Sequence, residues 1–145
     1  MRGPRVTGSE SAARGEMGEM GYPDTEDGVV LYRPVGTEEL KLIEASGFRA
    51  FPPRLEHQAF FYPVIQAEYA HEIAKRWNAD HPTSGGTGFV TRFCVRADHL
   101  SRYQVHVAGG IRRQEYWIPA ADFAEFNRNI IGQIDVVAKY ERAPQ

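Results

Sequence analysis

The sequence predicts an α+β domain with a mixed, largely antiparallel split sheet and about three helices, on three observations. Val29–Val35 and Phe89–Val95 are rich in β-branched and aromatic residues, and in the latter Phe89, Thr91, Phe93 and Val95 alternate at strand spacing. Ala67–Asn78 instead places Tyr69, Ala70, Ile73, Ala74 and Trp77 at helical spacing, with Glu68, Glu72, Lys75 and Arg76 opposite. The remaining strand-like segments cluster after that helix, where a doubly wound parallel sheet would alternate strand and helix throughout.

Taken in order, residues 1–28 hold Gly, Ser, Glu, Arg and Met with almost no branched aliphatics, and their charges sum to −3. Such a segment buries too little apolar surface to offset its ordering entropy, so it reads as a disordered tail before a single domain over 29–145. Val29–Val35 is the first strand, with Pro34 at its edge or end. Thr37 caps a short helix, Glu38–Ala45, with an acidic first turn and an apolar face of Leu40, Leu42 and Ile43; Gly47 stops it. Phe48–Phe51 is a brief extended piece closed by Pro52-Pro53, and Phe60–Val64 is a second strand.

After the Ala67–Asn78 helix, the turn formers of His81–Thr87 make a loop and Gly88–Arg96 a long strand. Asp98 caps one turn ending near Tyr103. Residues 104–107 and 114–118 are extended about a Gly109-Gly110 turn, Pro119 opens a helix to about Asn129, and Ile134–Tyr140 closes as a strand.

Composition narrows the function. The chain has 145 residues, 42% of them hydrophobic and 12% aromatic, which is enough for a core without disulfide or metal. The formal charge is −2 with no block of lysine or arginine, so a nucleic-acid partner is not expected. No apolar stretch approaches the roughly 18 residues of a membrane span, and the N-terminus has no apolar signal segment, so a cytoplasmic protein is expected. The single cysteine, Cys94, lies in an apolar alternating run and reads as a buried thiol. His57, His71, His81, His99 and His106 lack ligand spacing, so no metal site is expected. Glycine-rich phosphate loops, paired cysteines and a nucleophile elbow are absent from the sequence.

Two positions carry chemistry. Arg33 puts a guanidinium in an otherwise apolar first strand, where a buried cation needs an anion: a ligand phosphate, a structural carboxylate, or solvent at an open mouth. Glu115 heads the apolar strand Tyr116-Trp117-Ile118. A carboxylate there can bind a ribose hydroxyl or offset developing positive charge, and it can equally be an ordinary strand-end charge.

Leu31-Tyr-Arg33, Phe61-Tyr62 followed by the Tyr69-Ala70 helix, and Gln114-Glu-Tyr-Trp-Ile-Pro119 together resemble the three-part layout of ADP-ribosyltransferases, over most of 29–140. Leu31-Tyr-Arg-Pro-Val35 and Ala50-Phe-Pro-Pro-Arg54 also resemble stretches of short bacterial proteins labelled "ADP-ribosylation/crystallin J1". The J1-crystallin-related hydrolases are much larger helical enzymes with Asp-rich dinuclear metal sites, so the resemblance implies the transferase shape.

It further implies NAD as substrate and cleavage between nicotinamide and ribose through an oxocarbenium-like transition state. Glu115 would be the catalytic carboxylate on the ribose hydroxyl and Arg33 the pyrophosphate anchor. Tyr62, with Phe61, would stack on nicotinamide, and Thr91 on the central strand would be a further cofactor contact. The sequence departs from the family at Arg113, two before Glu115, where enzymes modifying arginine usually carry Glu and several others Gln; an arginine acceptor is not supported. The Ser-Thr-Ser element is replaced by Phe60-Phe61-Tyr62. A non-enzymatic ligand- or protein-binding module, using the aromatic surface around Tyr116, Trp117 and Phe123, is the competing expectation.

Overall fold

The computed structural model describes residues 28–78, 86–110 and 112–141. The expected tail up to residue 27 and residues 81–85 of the expected loop lie outside the described residues.

Three antiparallel strands form the centre. β1 (Gly28–Gly36) pairs with β3 (Thr87–Arg96), which pairs with β7 (Ile130–Glu141), in the order β1-β3-β7. β1 and β3 are in register from Gly28 opposite Arg96 to Gly36 opposite Gly88. β3 lies between two partners and is buried on both faces: Phe93 and Val95 enter the main core while Val90 enters a second cluster behind the sheet. The buried thiol expected at Cys94 is found there. Pairing with β7 slips twice. Val90 meets Ala138 and Thr91 meets Val136, leaving Val137 as an extra residue, and a second slip falls between Asp135 and Ile131, where Gly132 takes φ +74°.

On the other side β1 is bridged at a single residue. Tyr32 and Val64 exchange both backbone hydrogen bonds, at 2.9 and 2.8 Å. Pro34, two residues on, would point its missing N–H toward the same side, so the proline stands where this pairing ends. Val64 in turn bridges Glu115 through Tyr116 N–H to Pro63 O and Ile65 N–H to Gln114 O, both 2.9 Å. β5 (Gln114–Tyr116) then pairs with β4 (Val105–Val107), and β2 (Phe60–Phe61) with β6 (Ile118–Pro119). The segments 60–65 and 114–119 therefore run as one antiparallel ladder, kinked at Tyr62 and Trp117.

Helices cover both faces. α1 (Thr37–Ala45) starts from Gly36 without a side-chain cap, so Thr37 is its first residue rather than its cap. Ile43 is buried but Leu42 is exposed, which removes Leu42 from the expected apolar face. Gly47 ends the helix with φ +77°, and Phe48 follows at φ +61°. The expected extended piece at 48–51 is not a strand. It is a loop tied down by Asn127, whose amide accepts from Phe51 N–H and donates to Phe51 O, both 3.0 Å.

α2 (Ala67–Ile73) packs Ala70 and Ala74 against Val64 and Val90, and continues as a π turn over Ala74–Asn78. α3 (Ala97–Leu100) is capped at Arg96, with Asp98 inside the turn rather than capping it. α4 (Phe123–Arg128) follows a 3-10 turn (Ala120–Asp122) whose N-cap is Pro119, so Pro119 closes β6 before the helix begins. The main core lies under α4 and the 48–51 loop, where Phe51, Phe61, Phe93, Phe123 and Phe126 stack with ring centroids 4.8 to 6.4 Å apart. The fold class is therefore α+β with antiparallel pairing throughout the described strands. Among the described residues no helix is long and apolar enough to cross a membrane.

Candidate functional site

Paired residues of neighbouring antiparallel strands project to the same face, and successive residues of one strand to opposite faces. The Tyr32–Val64–Glu115 row thus faces α2, while Arg33 and Tyr116 face the main core. Side-chain contacts agree: Tyr32 and Tyr69 pack with Val64, whereas Arg33 lies over the Phe61 ring at 4.5 Å.

On the core face, Arg33 is a bidentate partner of Glu39, with Nε 2.6 Å and Nη2 3.0 Å from its two carboxylate oxygens. Both side chains are largely buried, 13% and 21% exposed, so the pair compensates a desolvated charge. Of the alternatives open for Arg33, the structural carboxylate is the one found. Thr91, its cross-strand partner, is fully buried and donates its hydroxyl to Arg33 O at 2.8 Å. Phe61 is fully buried in the core. Neither Thr91 nor Phe61 presents a surface to a ligand. A second guanidinium, Arg54, lies 5.5 Å from the same ring and donates Nη2–H to Phe60 O at 3.0 Å.

On the α2 face, Glu115 is held between an indole and a phenol. Trp117 Nε1–H donates to Oε1 at 2.9 Å, and Tyr69 O–H donates to Oε2 at 3.4 Å. Burial, then the charge of Glu115, pushes the Tyr69 phenol above its ordinary pKa, so it stays a donor at neutral pH. The head of β5 is fixed by an amide clamp: Gln66, at the N-cap of α2, donates to Gln114 Oε1 at 2.6 Å and accepts from Gln114 N–H at 2.9 Å. Arg113 turns to Glu72 on α2, 2.8 Å away, rather than to Glu115.

Around the carboxylate, His106 stacks on Trp117 with ring centroids 4.0 Å apart, and Tyr62 meets the same indole edge-on at 5.9 Å. Tyr62 and Trp117 are 40% and 39% exposed, a wall open to solvent. Tyr69 also borders a cavity of about 500 Å³ between α2 and the Gly109-Gly110 turn, lined further by Glu68, Glu72, Arg112 and Arg113.

Of the residues singled out by sequence, the fold brings Glu115 and Tyr62 together through Trp117. It puts Arg33, Phe61 and Thr91 on the other face. Trp117 belongs to the aromatic surface expected for docking and Tyr69 to the apolar face of its helix, whereas His106 and Arg54 carry no expected role in a site. Of these, Tyr69 could be singled out from the sequence, as the phenol on a helix face otherwise made of Ala70, Ile73, Ala74 and Trp77.

Comparison with protein-family models, with curated proteins and with solved structures finds no match. Function must be argued from the site.

Proposed function

We propose that the chain is an ADP-ribosyltransferase-like protein that binds NAD along the rim formed by Tyr62, Trp117 and Glu115, and carries out ADP-ribosyl transfer or NAD glycohydrolysis there. The observation that carries this reading is the setting of Glu115: a carboxylate with a strong indole bond on one oxygen and a long, weak phenol bond on the other, beside solvent-facing aromatic rings. The first bond fixes the carboxylate; the second is the one a ribose hydroxyl would replace. Tyr62 and Trp117 offer flat apolar surface for the nicotinamide ring. As the nicotinamide–ribose bond breaks, positive charge builds on the ribose, and a positioned carboxylate lowers that barrier. The sequence resemblance supports the same assignment for Glu115 and an ADP-ribosyltransferase-like arrangement of the sheet. Arg33 has no direct part in this version, because its charge is already matched by Glu39 on the far face.

A non-enzymatic binding module is the second reading: Phe123 is buried and Tyr116 packs against the core, so of the surface expected for docking Trp117 is the exposed residue, joined by Tyr62, Val105 and Val107. Release of nicotinamide from NAD by the wild-type chain and by Glu115→Gln separates the two. Turnover that falls with Glu115→Gln supports the enzyme; no release with any acceptor, together with no change in melting temperature on adding NAD, leaves the binding module.

A further inference from the structure

We propose that Arg54, beside the Arg33–Glu39 pair, forms an oxyanion site that takes a phosphate group. Arg33 and Arg54 lie over one aromatic ring, Phe61, at 4.5 and 5.5 Å, and the carboxylate of Glu39 is committed to Arg33 in a bidentate pair. Among the described residues no carboxylate pairs with Arg54, so these three groups carry one uncancelled positive charge in partly desolvated surroundings. Burial, then the neighbouring charge of Arg33, depresses the Arg54 pKa against the opposing charge of Glu39, and among the described residues the buried Nε–H has no acceptor. A guanidinium in this position is costly unless an anion completes it.

Geometry says where the anion goes. Nη2 is tied to Phe60 O and Nε is buried, so an anion would approach the guanidinium from the Nη1 end. The loop holding Arg54 is fixed on both sides, by the Asn127 clamp at Phe51 and by a turn in which Leu55 and Gln58 exchange bonds of 2.8 Å. The cation is therefore held in place before any ligand arrives. Tyr62, which contributes to the electrostatics of Arg54, also touches Trp117, and Phe60 lies 5.7 Å from the same indole. Arg54 thus stands at one end of a rim whose other end is Glu115. On the proposed NAD reading, on which the identity of the phosphate donor rests, a diphosphate at Arg54 and a ribose at Glu115 lie along this single edge.

The test uses inorganic pyrophosphate as probe at low ionic strength, with the whole chain and arginine side chains labelled with ¹⁵N. The Arg54 Nε–H resonance, assigned by its loss in Arg54→Lys, should shift saturably on titration. Arg54→Met, which keeps an apolar stem over Phe61, should bind at least tenfold more weakly. An Arg54 resonance that does not move, or undiminished binding by a folded Arg54→Met, overturns the site. Pyrophosphate binding at Arg54 in a chain that leaves NAD intact upholds the site and removes the proposed activity. NAD cleavage with no pyrophosphate response at Arg54 does the reverse.

Discussion

The two faces of the row of strands that runs from β1 through Val64 to β5 solve the same problem, a charged side chain among aromatics, in opposite ways. On the core face Arg33 is closed in by Glu39, Phe61 and the Thr91 backbone contact, so its charge is spent on holding α1 to the sheet. On the α2 face Glu115 is oriented by neutral donors and left beside open rings, so its charge is not cancelled. The difference teaches that a charged residue in an apolar strand becomes structural when the fold supplies its counter-ion and available for chemistry when it supplies only orientation.

The sharpest way to break this contrast is to damage each face and ask which property fails. Phe61→Ala removes the ring shared by the core and both guanidiniums, and should cost about 3–5 kcal/mol in denaturant unfolding, well beyond any change from truncating Tyr62. Glu115→Gln should cut NAD turnover by two to three orders of magnitude, about 3–4 kcal/mol of barrier, while its urea midpoint stays near wild type. Equal losses of stability from the two substitutions would erase the distinction between the faces. Arg33→Met should destabilise by about 1–3 kcal/mol, because Glu39 is left partly buried without its cation. The double variant Arg33→Met with Glu39→Met should recover much of that loss if the pair is structural.

The smallest expected effect comes from His99, which is 2% exposed, packs against Tyr103 and Phe126, and has no hydrogen-bond partner on either ring nitrogen among the described residues. Burial, then the charge of Arg102, holds its pKa below the ordinary histidine value. The folded state therefore binds the proton less readily than the unfolded chain. Its contribution to stability is complete above the unfolded pKa and declines as pH falls below it, between about pH 7 and pH 5. His71, lowered by burial too, adds a slope of the same sign. Melting curves across this range should be flatter for His99→Phe than for wild type; identical slopes would assign the effect elsewhere.

Much of the fold was legible because its signals are local. The alternation of Phe89, Thr91, Phe93 and Val95 and the glycine after α1 are short-range facts, and the strands and helix end appear where they point. The site was legible only in part, because which face a residue occupies depended on one bridged residue, Val64, between β1 and β5. Phe60, Phe61 and Tyr62 are all aromatic, so no apolar–polar alternation distinguishes the buried ring of Phe61 from the half-buried Phe60 and the exposed Tyr62. Glu39 satisfied the helix-dipole rule and so gave no hint of its pairing with Arg33. Arg54 follows two prolines in a loop without periodicity, and nothing in its neighbourhood marks it until the chain is folded.

The slips in β7 have a consequence beyond the shape of the sheet. Ile131, Val136 and Val137 are exposed on this long outer strand, a composition that invites templated growth into fibrils. The extra residue at Val137 and the left-handed Gly132 interrupt the straight row of backbone groups an incoming strand would pair with, and Ile134 N–H is already taken by Phe48 O, features that discourage edge-to-edge pairing.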